Sequence, residues 1–201
     1  MTNGHYNCAM KRKIYREDII EVGRDLMFSR GYNDTGIKDI TDKIDIPKGS
    51  FYNHFSSKEE FGLEVVKEYM RNGLEVHKKT LLDKNRSPKQ RIQDFYNANI
   101  EYYKDQLNFK LGCIMGNFSA EMADVNEKFQ ELLSRGFGEQ EGVILECVKE
   151  GQESGDIDSS LPAELLASSI INGWHGSLVR MKAEADIKPL EDFQKFFLER
   201  L

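Results

Sequence analysis

Cysteine, histidine and proline are scarce in this 201-residue chain, and their scarcity excludes several kinds of site. The three cysteines, Cys8, Cys113 and Cys147, lie far apart and form no CxxC pair, which argues against a disulfide framework or a zinc knuckle. The four histidines form neither an HExxH motif nor a Glu-x-x-His pair, and there is no glycine-rich phosphate loop. We therefore predict no metal site, no cofactor and no catalytic residues. A helical small-molecule or thiol-dependent enzyme is kept as the alternative function.

Long hydrophobic runs are also absent. No apolar segment approaches the roughly 20 residues that cross a bilayer, and the basic cluster near the N-terminus is not followed by a hydrophobic stretch. We therefore expect no membrane partner, no secretory signal and a cytoplasmic location. Residues 1–10 are interpreted as a flexible tail.

Charge is divided unevenly along the chain, whose net charge is −6. Residues 1–58 contain ten basic and eight acidic side chains, whereas residues 59–201 contain 18 basic and 26 acidic ones. The first segment is therefore slightly positive and the second clearly negative. The asymmetry is mild, and a slightly positive segment is common in soluble proteins, so it carries little weight by itself.

Apolar residues recur at helical spacing along most of the chain, and no segment alternates for long like a strand. We predict an all-α protein of about nine helices. We expect residues 11–58 to form an N-terminal three-helix helix-turn-helix domain and residues 59–201 to form a C-terminal helical bundle. Capping boxes are predicted at residues 57–60 and 87–90. The predicted helices span residues 15–30, 36–44, 48–55, 58–80, 88–106, 113–124, 126–153, 162–185 and 189–200.

The helix-turn-helix pattern lies between Thr35, the predicted cap of the second helix, and Phe55. Asp45 tolerates the left-handed conformation that the tight turn needs, and the last short helix of such a unit lies in the major groove. Its underside must be apolar, a role assigned to Ile40, Ile44, Ile46, Phe51 and Phe55. Its outer face must carry donors that reach phosphates and bases, a role assigned to Lys48, Ser50, Tyr52, Asn53 and His54. Gly49 allows close approach of the backbone to DNA, and Lys58 begins the next helix, where a phosphate is favoured.

The segment GYNDTGIKDITDKIDIPKGSFYNHFSSKEEF resembles the signature of the TetR family of transcriptional regulators. The resemblance extends roughly from Ile14 to Leu63. It implies that the sugar-phosphate backbone is contacted by Thr35, Lys48, Tyr52, His54 and Lys58. It also implies that Gly49, Ser50 and Asn53 lie nearest the bases. Three departures from the family pattern, Met27, Gly36 and Asp45, are expected to tune the affinity for DNA and not to abolish it.

One recognition helix reads too few base pairs for specificity, so such regulators pair two modules across a symmetric interface and read a palindrome. The last two predicted helices carry an apolar stripe beside small residues, which suits a homodimer seam. The predicted seam residues are Leu166, Ile170, Gly173, Trp174, Ser177, Leu178, Phe193 and Phe197. An alternative, in which about half of them face the chain's own core, stays open.

Aromatic residues and one methionine between the two ends are candidates for an effector pocket with apolar walls, although most are equally explained as core. These candidates are Phe95, Tyr96, Tyr103, Met115, Phe118, Phe137, Trp174 and His175. The segments 112–117, 173–176 and 180–182 are similar to a TetR subgroup that includes the N-ethylmaleimide reductase repressor. In that subgroup the cysteine that matches Cys113 is linked to the response to electrophiles or oxidants.

We predict that Cys113 lies in the first turn of a helix, whose dipole lowers the pKa of its thiol. The alternative is that Cys113 is only a small buried hydrophobe. The predicted function is a repressor that is released from palindromic, double-stranded operator DNA by a small-molecule or thiol-reactive effector.

Overall fold

The computed structural model describes residues 15–201, and all regular secondary structure in this range is helical. The all-α class and the order of the predicted helices are confirmed. The predicted tail and Cys8 lie outside the described residues. The helices are α1 Arg16–Arg30, α2 Ile37–Ile44, α3 Lys48–Tyr52, α4 Lys58–Leu81, α5 Pro88–Asp105, α6 Ile114–Met122, α7 Glu127–Ser154, α8 Ala163–Glu184 and α9 Lys188–Phe193, followed by a π-helical turn, Gln194–Leu198.

The two predicted capping boxes differ in outcome. At the start of α5, Ser87 and Gln90 cap each other as predicted. At the start of α4, the Ser57 side chain accepts from the backbone N–H of Glu60, but the Glu60 carboxylate bonds the backbone and hydroxyl of Ser56. The carboxylate therefore reaches one residue further back than a reciprocal box requires.

The turn between α2 and α3 is as tight as predicted. Asp45 adopts the left-handed conformation with φ 55°, and the N–H of Ile46 donates to the carbonyl of Thr41 at 3.0 Å. The predicted third helix is too long, since α3 ends at Tyr52. The chain still turns tightly after it, because the amides of His54 and Phe55 both donate to the carbonyl of residue 51.

A continuous hydrophobic core runs through both halves of the chain. Its centre is the contact between the long helices α4 and α7, with α8 on the far side of α7. Arg91 is fully buried in this region; its Nη1 donates to the carbonyl of Leu81 at 2.9 Å and its Nη2 lies 2.8 Å from Glu150. This buried arginine therefore ties the end of α4 to α5 and α7.

Helix α1 approaches α4 at Gly23. A Cβ built on Gly23 lies 2.1 Å from Cζ of Phe61, whose buried ring also packs against the rings of Phe51 and Phe55. We expect Gly23→Ala to lower the free energy of unfolding by about 1–3 kcal/mol, because overpacking outweighs the gain in helix propensity. Urea unfolding at fixed protein concentration measures this. Gly142→Ala is the control, since a Cβ there meets nothing within 4 Å. Equal stabilities of the two variants would contradict the expected clash.

Candidate nucleic-acid interface and thiol site

Helix α3 and the turn that follows it present most of their polar side chains to solvent and two phenylalanines to the core. Phe51 and Phe55 are buried, and their ring centroids lie 5.1 and 4.8 Å from that of Phe61 in α4. The recognition helix is therefore held by aromatic packing on a long, rigid helix. The predicted apolar underside is confirmed: Ile40 is also fully buried, and Ile44 and Ile46 are half-buried.

The outer surface of α3 and the following turn brings together most residues predicted to meet DNA. Lys48, Gly49, Tyr52, Asn53 and His54 are exposed, and Ser50 is half-buried. The Tyr52 ring lies 5.9 Å from Lys48 Nζ. A Cβ built on Gly49 meets nothing within 4 Å, so no contact inside the chain requires glycine there. This leaves the predicted close approach to DNA as a reason for that residue.

The two roles predicted for the Thr35 side chain do not fit the structure. Thr35 is fully buried, and its hydroxyl donates to the carbonyl of Gly31 at 2.7 Å, so it is not available to a phosphate. The N-cap of α2 is Gly36, whose N–H donates to the carboxylate of Asp39 at 2.8 Å. An acidic side chain in the first turn thus replaces the expected threonine cap.

Lys58 is held beside the helix-turn-helix. Its Nζ donates to the carbonyl of Asn33 at 3.2 Å and lies 4.4 Å from the centroid of the Tyr32 ring. Burial lowers the pKa of Lys58, and the nearby carboxylates, that of Glu121 first, partly oppose this. Two of the three ammonium hydrogens have no partner among residues 15–201, so a phosphate contact fits this geometry.

A contact missed by the sequence analysis joins the two halves of the chain. The carboxylate of Glu121, near the end of α6, accepts from the backbone amides of Tyr32 and Asn33 at 3.2 and 2.8 Å. A Cβ on Gly31, where φ is +92°, would lie 2.3 Å from Glu121 Oε1, so glycine is needed for this close approach. The loop that leads into α2 is therefore attached to α6. No sequence motif predicts this hydrogen-bonded contact, because its partners are about 90 residues apart.

Cys113 is the N-cap of α6 and is buried, so it lies next to the predicted helix turn. The prediction of a lowered thiol pKa is wrong. Burial raises the pKa of Cys113, although hydrogen bonds from the amide of Gly116, the hydroxyl of Tyr69 and the amide of Met115 oppose it. The Tyr69 oxygen lies 3.8 Å from the sulfur. Desolvation outweighs the helix terminus because the sulfur is enclosed.

A cavity of about 200 Å³ opens beside Cys113. Lys182 is the cation in its lining, and its Nζ donates to Asn117 Oδ1 at 3.3 Å. Phe137 and His175 also line it, as predicted for an effector pocket, with ring centroids 5.0 Å apart. Burial is the main cause that lowers the pKa of His175 to about 4, and the nearby His77 is the second cause. The imidazole is therefore neutral at pH 7.

The other predicted pocket residues do not join this cavity. Phe95 lines a different one, between α1, α4 and α5. The remaining residues are packed as core, which is the alternative interpretation of aromatic positions: Tyr96, Tyr103, Met115, Phe118 and Trp174 are all buried. Tyr96, for example, packs at 5.1 Å from the centroids of both Trp174 and Phe193. The structure therefore does not bring all eight candidates to one cavity.

Half of the predicted dimer seam faces the chain's own core. Ile170, Trp174, Leu178 and Phe193 are buried within the single chain, so they do not form a contact surface for a second copy. Leu166, Gly173, Ser177 and Phe197 are half-buried. Gly173 is a packing glycine, because a Cβ there would lie 2.5 Å from the Phe197 ring of the same chain.

Exposed apolar side chains lie beside the predicted stripe. Leu165 and Val179 are on α8, Leu161 precedes α8 and Phe196 is in the π-helical turn; they are 53, 64, 46 and 57% exposed. Only two of them share a helix, and the buried stripe carries the stronger apolar pattern. These exposed residues were missed for that reason.

Within residues 15–201, no three His, Cys, Asp or Glu side chains are grouped as metal ligands would be. No helix of this part of the chain is long and apolar enough to cross a membrane. Both cysteines that the structure describes, Cys113 and Cys147, are free thiols.

Comparisons with known proteins cover both halves. A family model described as bacterial regulatory proteins, tetR family, matches residues 19–65, and one described as tetracyclin repressor-like, C-terminal domain, matches residues 88–197. The HTH-type transcriptional repressor DhaR of Mycobacterium sp. (strain GP1) is 36% identical over 192 residues, which are 96% of this chain and 94% of that protein. The HTH-type transcriptional repressor NemR of Escherichia coli (strain K12) is 23% identical over 177 residues, 88% of each chain.

Solved structures show the same fold. The regulatory protein TetR from Rhodobacter sphaeroides superimposes with a TM-score of 0.85 at 26% identity, over 92% of this chain and 97% of that one. The reduced form of E. coli NemR gives 0.83 at 23% identity, over 92 and 96%. These relatives are transcriptional regulators and not enzymes, so the alternative of an enzyme is wrong. The chain belongs to the TetR family of bacterial transcriptional regulators.

Proposed function

We propose that this protein is a repressor that binds a palindromic operator as a homodimer and leaves it when Cys113 is modified or when a ligand occupies the cavity beside it. Members of the family bind operator DNA and act as dimers. The finer division of the chain, with residues 11–58 for DNA and residues 59–201 for effector and dimer, is part of this proposal.

The observation that carries the proposal is the surface of α3. Its outward side chains are exposed donors, and its underside is fixed on Phe61. We assign the sugar-phosphate contacts to Lys48, Tyr52, His54 and Lys58, and the positions nearest the bases to Gly49, Ser50 and Asn53. Thr35 is removed from the backbone contacts, because its hydroxyl is committed to Gly31.

We assign the dimer seam to the exposed surface of α8 and the C-terminal π-helical turn. Solvent-exposed apolar side chains on neighbouring helices are the feature that a symmetric helix seam needs. The seam residues in this assignment are Leu161, Leu165, Leu166, Ser177, Val179, Phe196 and Phe197.

The sensing step uses the chemistry of the Cys113 thiol. The amides of Met115 and Gly116 and the hydroxyl of Tyr69 hydrogen-bond to its sulfur and favour the thiolate, although burial opposes it. With an α,β-unsaturated carbonyl compound, a bond forms between Sγ and the β-carbon. The C=C electron pair moves to the α-carbon, which takes up a proton in place of the one that the thiol lost. Cys113 is buried, so an adduct on its sulfur takes up space between α6 and the side chains packed around it, and in this proposal α6 moves to admit it.

Movement of α6 reaches the DNA-binding half through Glu121. Cys113 begins α6, and Glu121 lies at its other end, bonded to the loop before α2. A shift of this helix therefore moves the loop and changes the spacing of the two recognition helices in the dimer. A tenfold loss of operator affinity needs only about 1.4 kcal/mol between the two states.

Selection of bound DNA from a random duplex pool, at stated salt, tests the proposal. We expect a palindrome whose half-sites are separated by about one helical turn, roughly 10 base pairs. Sedimentation of the free protein and of the complex gives the number of chains bound. A monomer that enriches no sequence would refute the proposed function.

A further inference from the structure

A second cavity, of about 430 Å³, lies in a cleft between the DNA-binding half and the C-terminal half of the chain. This volume is enough for a small aromatic molecule. Helix α1 contributes Arg24, Asp25 and Phe28, and the remaining walls come from α4, α5, α6 and α7. We call it the interdomain cleft. It shares no lining residue with the cavity beside Cys113.

The lining of the cleft carries no net charge. Its charged residues are Arg24 and Asp25, whose guanidinium and carboxylate lie 3.1 Å apart and neutralise each other. Glu21 and Glu68 are 3.8 Å from the same guanidinium but lie outside the lining. Burial lowers the pKa of His77, so this lining residue is neutral at pH 7. A charged ligand would lose hydration without gaining an unpaired counter-ion, so the cleft favours an uncharged one.

Two asparagines of the cleft have their amide nitrogens bonded inside the chain. Nδ2 of Asn72 donates to the Glu68 carboxylate at 3.0 Å, and Nδ2 of Asn99 donates to the carbonyl of Phe95 at 2.7 Å. Carboxylates and carbonyls only accept hydrogen bonds, so these contacts fix the orientation of both amides. Each Oδ1 is therefore turned away from its neighbour and has no hydrogen-bond partner among residues 15–201.

Gln140 and His77 add two more acceptors to the cleft. Gln140 is 8% exposed and its Nε2 donates to the thioether of Met115 at 3.4 Å, so its oxygen is the free end of the amide. Nδ1 of His77 donates to the carbonyl of Gly73 at 2.7 Å, which leaves Nε2 of the neutral ring as an acceptor. The buried side-chain atoms without a partner in residues 15–201 include neither of these acceptors, so solvent reaches both.

Acceptor sites therefore outnumber donor hydrogens in the lining. Each of the three amides keeps one free hydrogen against two oxygen lone pairs, and His77 adds an acceptor without a donor. A ligand that takes the place of water at these atoms must supply hydrogen-bond donors, because an acceptor left without a partner is costly.

Aromatic rings form the apolar part of the wall. Phe28, Tyr69, Phe95 and Tyr102 line the cleft. Tyr102 is 50% exposed and Val76, which also lines the cleft, is 55% exposed, so both lie at its mouth. Exposed apolar groups around a cavity are a feature of ligand-binding grooves, and an aromatic ring of a ligand packs well on such a surface.

We propose that the interdomain cleft binds an uncharged aromatic molecule with two or more hydroxyl groups, a dihydroxybenzene in its simplest form, and that this molecule is an effector of the regulator. The hydroxyl groups donate to acceptors that come from α4, α5 and α7, and the ring packs on the aromatic wall. Because α1 also lines the cleft, an occupant biases the position of the DNA-binding half relative to the C-terminal half. The effector role rests on the proposed function, whereas the binding site does not.

Calorimetric titration of the full-length protein without DNA tests the binding site. The probes are resorcinol, 1,3-dimethoxybenzene, which lacks the donors, and 3,5-dihydroxybenzoate, which keeps the donors and adds a negative charge. We expect resorcinol to bind at least about tenfold more tightly than the other two. Equal binding of either comparison compound, or no binding of resorcinol, would overturn the proposal.

A matched pair of variants locates the site. Asn99→Leu replaces an acceptor of the lining with an apolar side chain of similar size, and the hydrogen bond that it removes lies within α5. Asn172→Leu makes the same change at an exposed position of α8 outside the lining. We expect only Asn99→Leu to lower the preference for resorcinol over 1,3-dimethoxybenzene, by at least about fivefold. An unchanged preference, or an equal loss of both probes, would contradict the assignment.

Operator binding with and without resorcinol separates the binding site from the proposed function. The Cys113→Ser protein is used, so modification of that thiol cannot contribute. A protein that binds no operator in the absence of ligand fails the proposed function, while the calorimetric result stands. Saturation with resorcinol is expected to change the operator Kd at least about tenfold. An unchanged operator Kd would overturn the effector role.

Discussion

Lys48→Ala is expected to weaken operator binding by about 100-fold or more, because a dimer loses two charge-assisted phosphate contacts of about 1.5–3 kcal/mol each. The slope of log K against log salt is expected to become shallower by about 2, one phosphate for each recognition helix. Fluorescence anisotropy of a labelled operator over a range of salt concentrations measures both quantities.

The fold should survive this change, since Lys48 is exposed and its ammonium contacts only the Tyr52 ring among the described residues. Asn53→Ala is the informative comparison. It removes a residue placed near the bases, so it should relax sequence preference and leave the salt slope unchanged. Lys104→Ala, at an exposed position of α5, is the matched lysine control. If the Lys48 variant had the same operator affinity and the same salt slope as the parent, Lys48 would not be a DNA contact.

Cys113→Ser is expected to abolish the response to a small electrophile. With methyl vinyl ketone, the operator affinity of the parent should fall at least about tenfold, equivalent to 1.4 kcal/mol, whereas the serine variant should keep its affinity. Cys147→Ser is the control, because Cys147 is fully buried outside the lining of the cavity, with its pKa raised to about 11. A Cys8→Ser variant controls for modification of the N-terminal segment.

The pH dependence gives a second readout of the same thiol. Because the pKa of Cys113 is raised, its thiolate fraction at neutral pH is smaller than that of a free cysteine. Modification should be slow at pH 7 and accelerate about tenfold per pH unit until the pKa is reached. Mass spectrometry follows the adduct. A rate that is already constant at pH 7, or equal operator release by the serine variant, would contradict a thiol sensor of this kind.

Amino-acid sequence by itself determined the helices and the outward face of α3. Both depend on local periodicity and turn chemistry, such as Asp45 in the turn before α3 and the buried Phe51 and Phe55, which are four residues apart. The family signature follows from the same local pattern, which is why the functional class was predicted correctly.

Tertiary structure alone decided which apolar faces are buried, and what surrounds each polar group. Trp174 and Ile170 look like a seam in the sequence, but they are core because α8 packs on α7 and α9. The thiol of Cys113 has a raised pKa because residues distant in sequence exclude water from it, and Glu121 meets the loop of Tyr32 only through folding. Burial and long-range contacts depend on residues from distant segments of the chain, so no local sequence pattern predicts them.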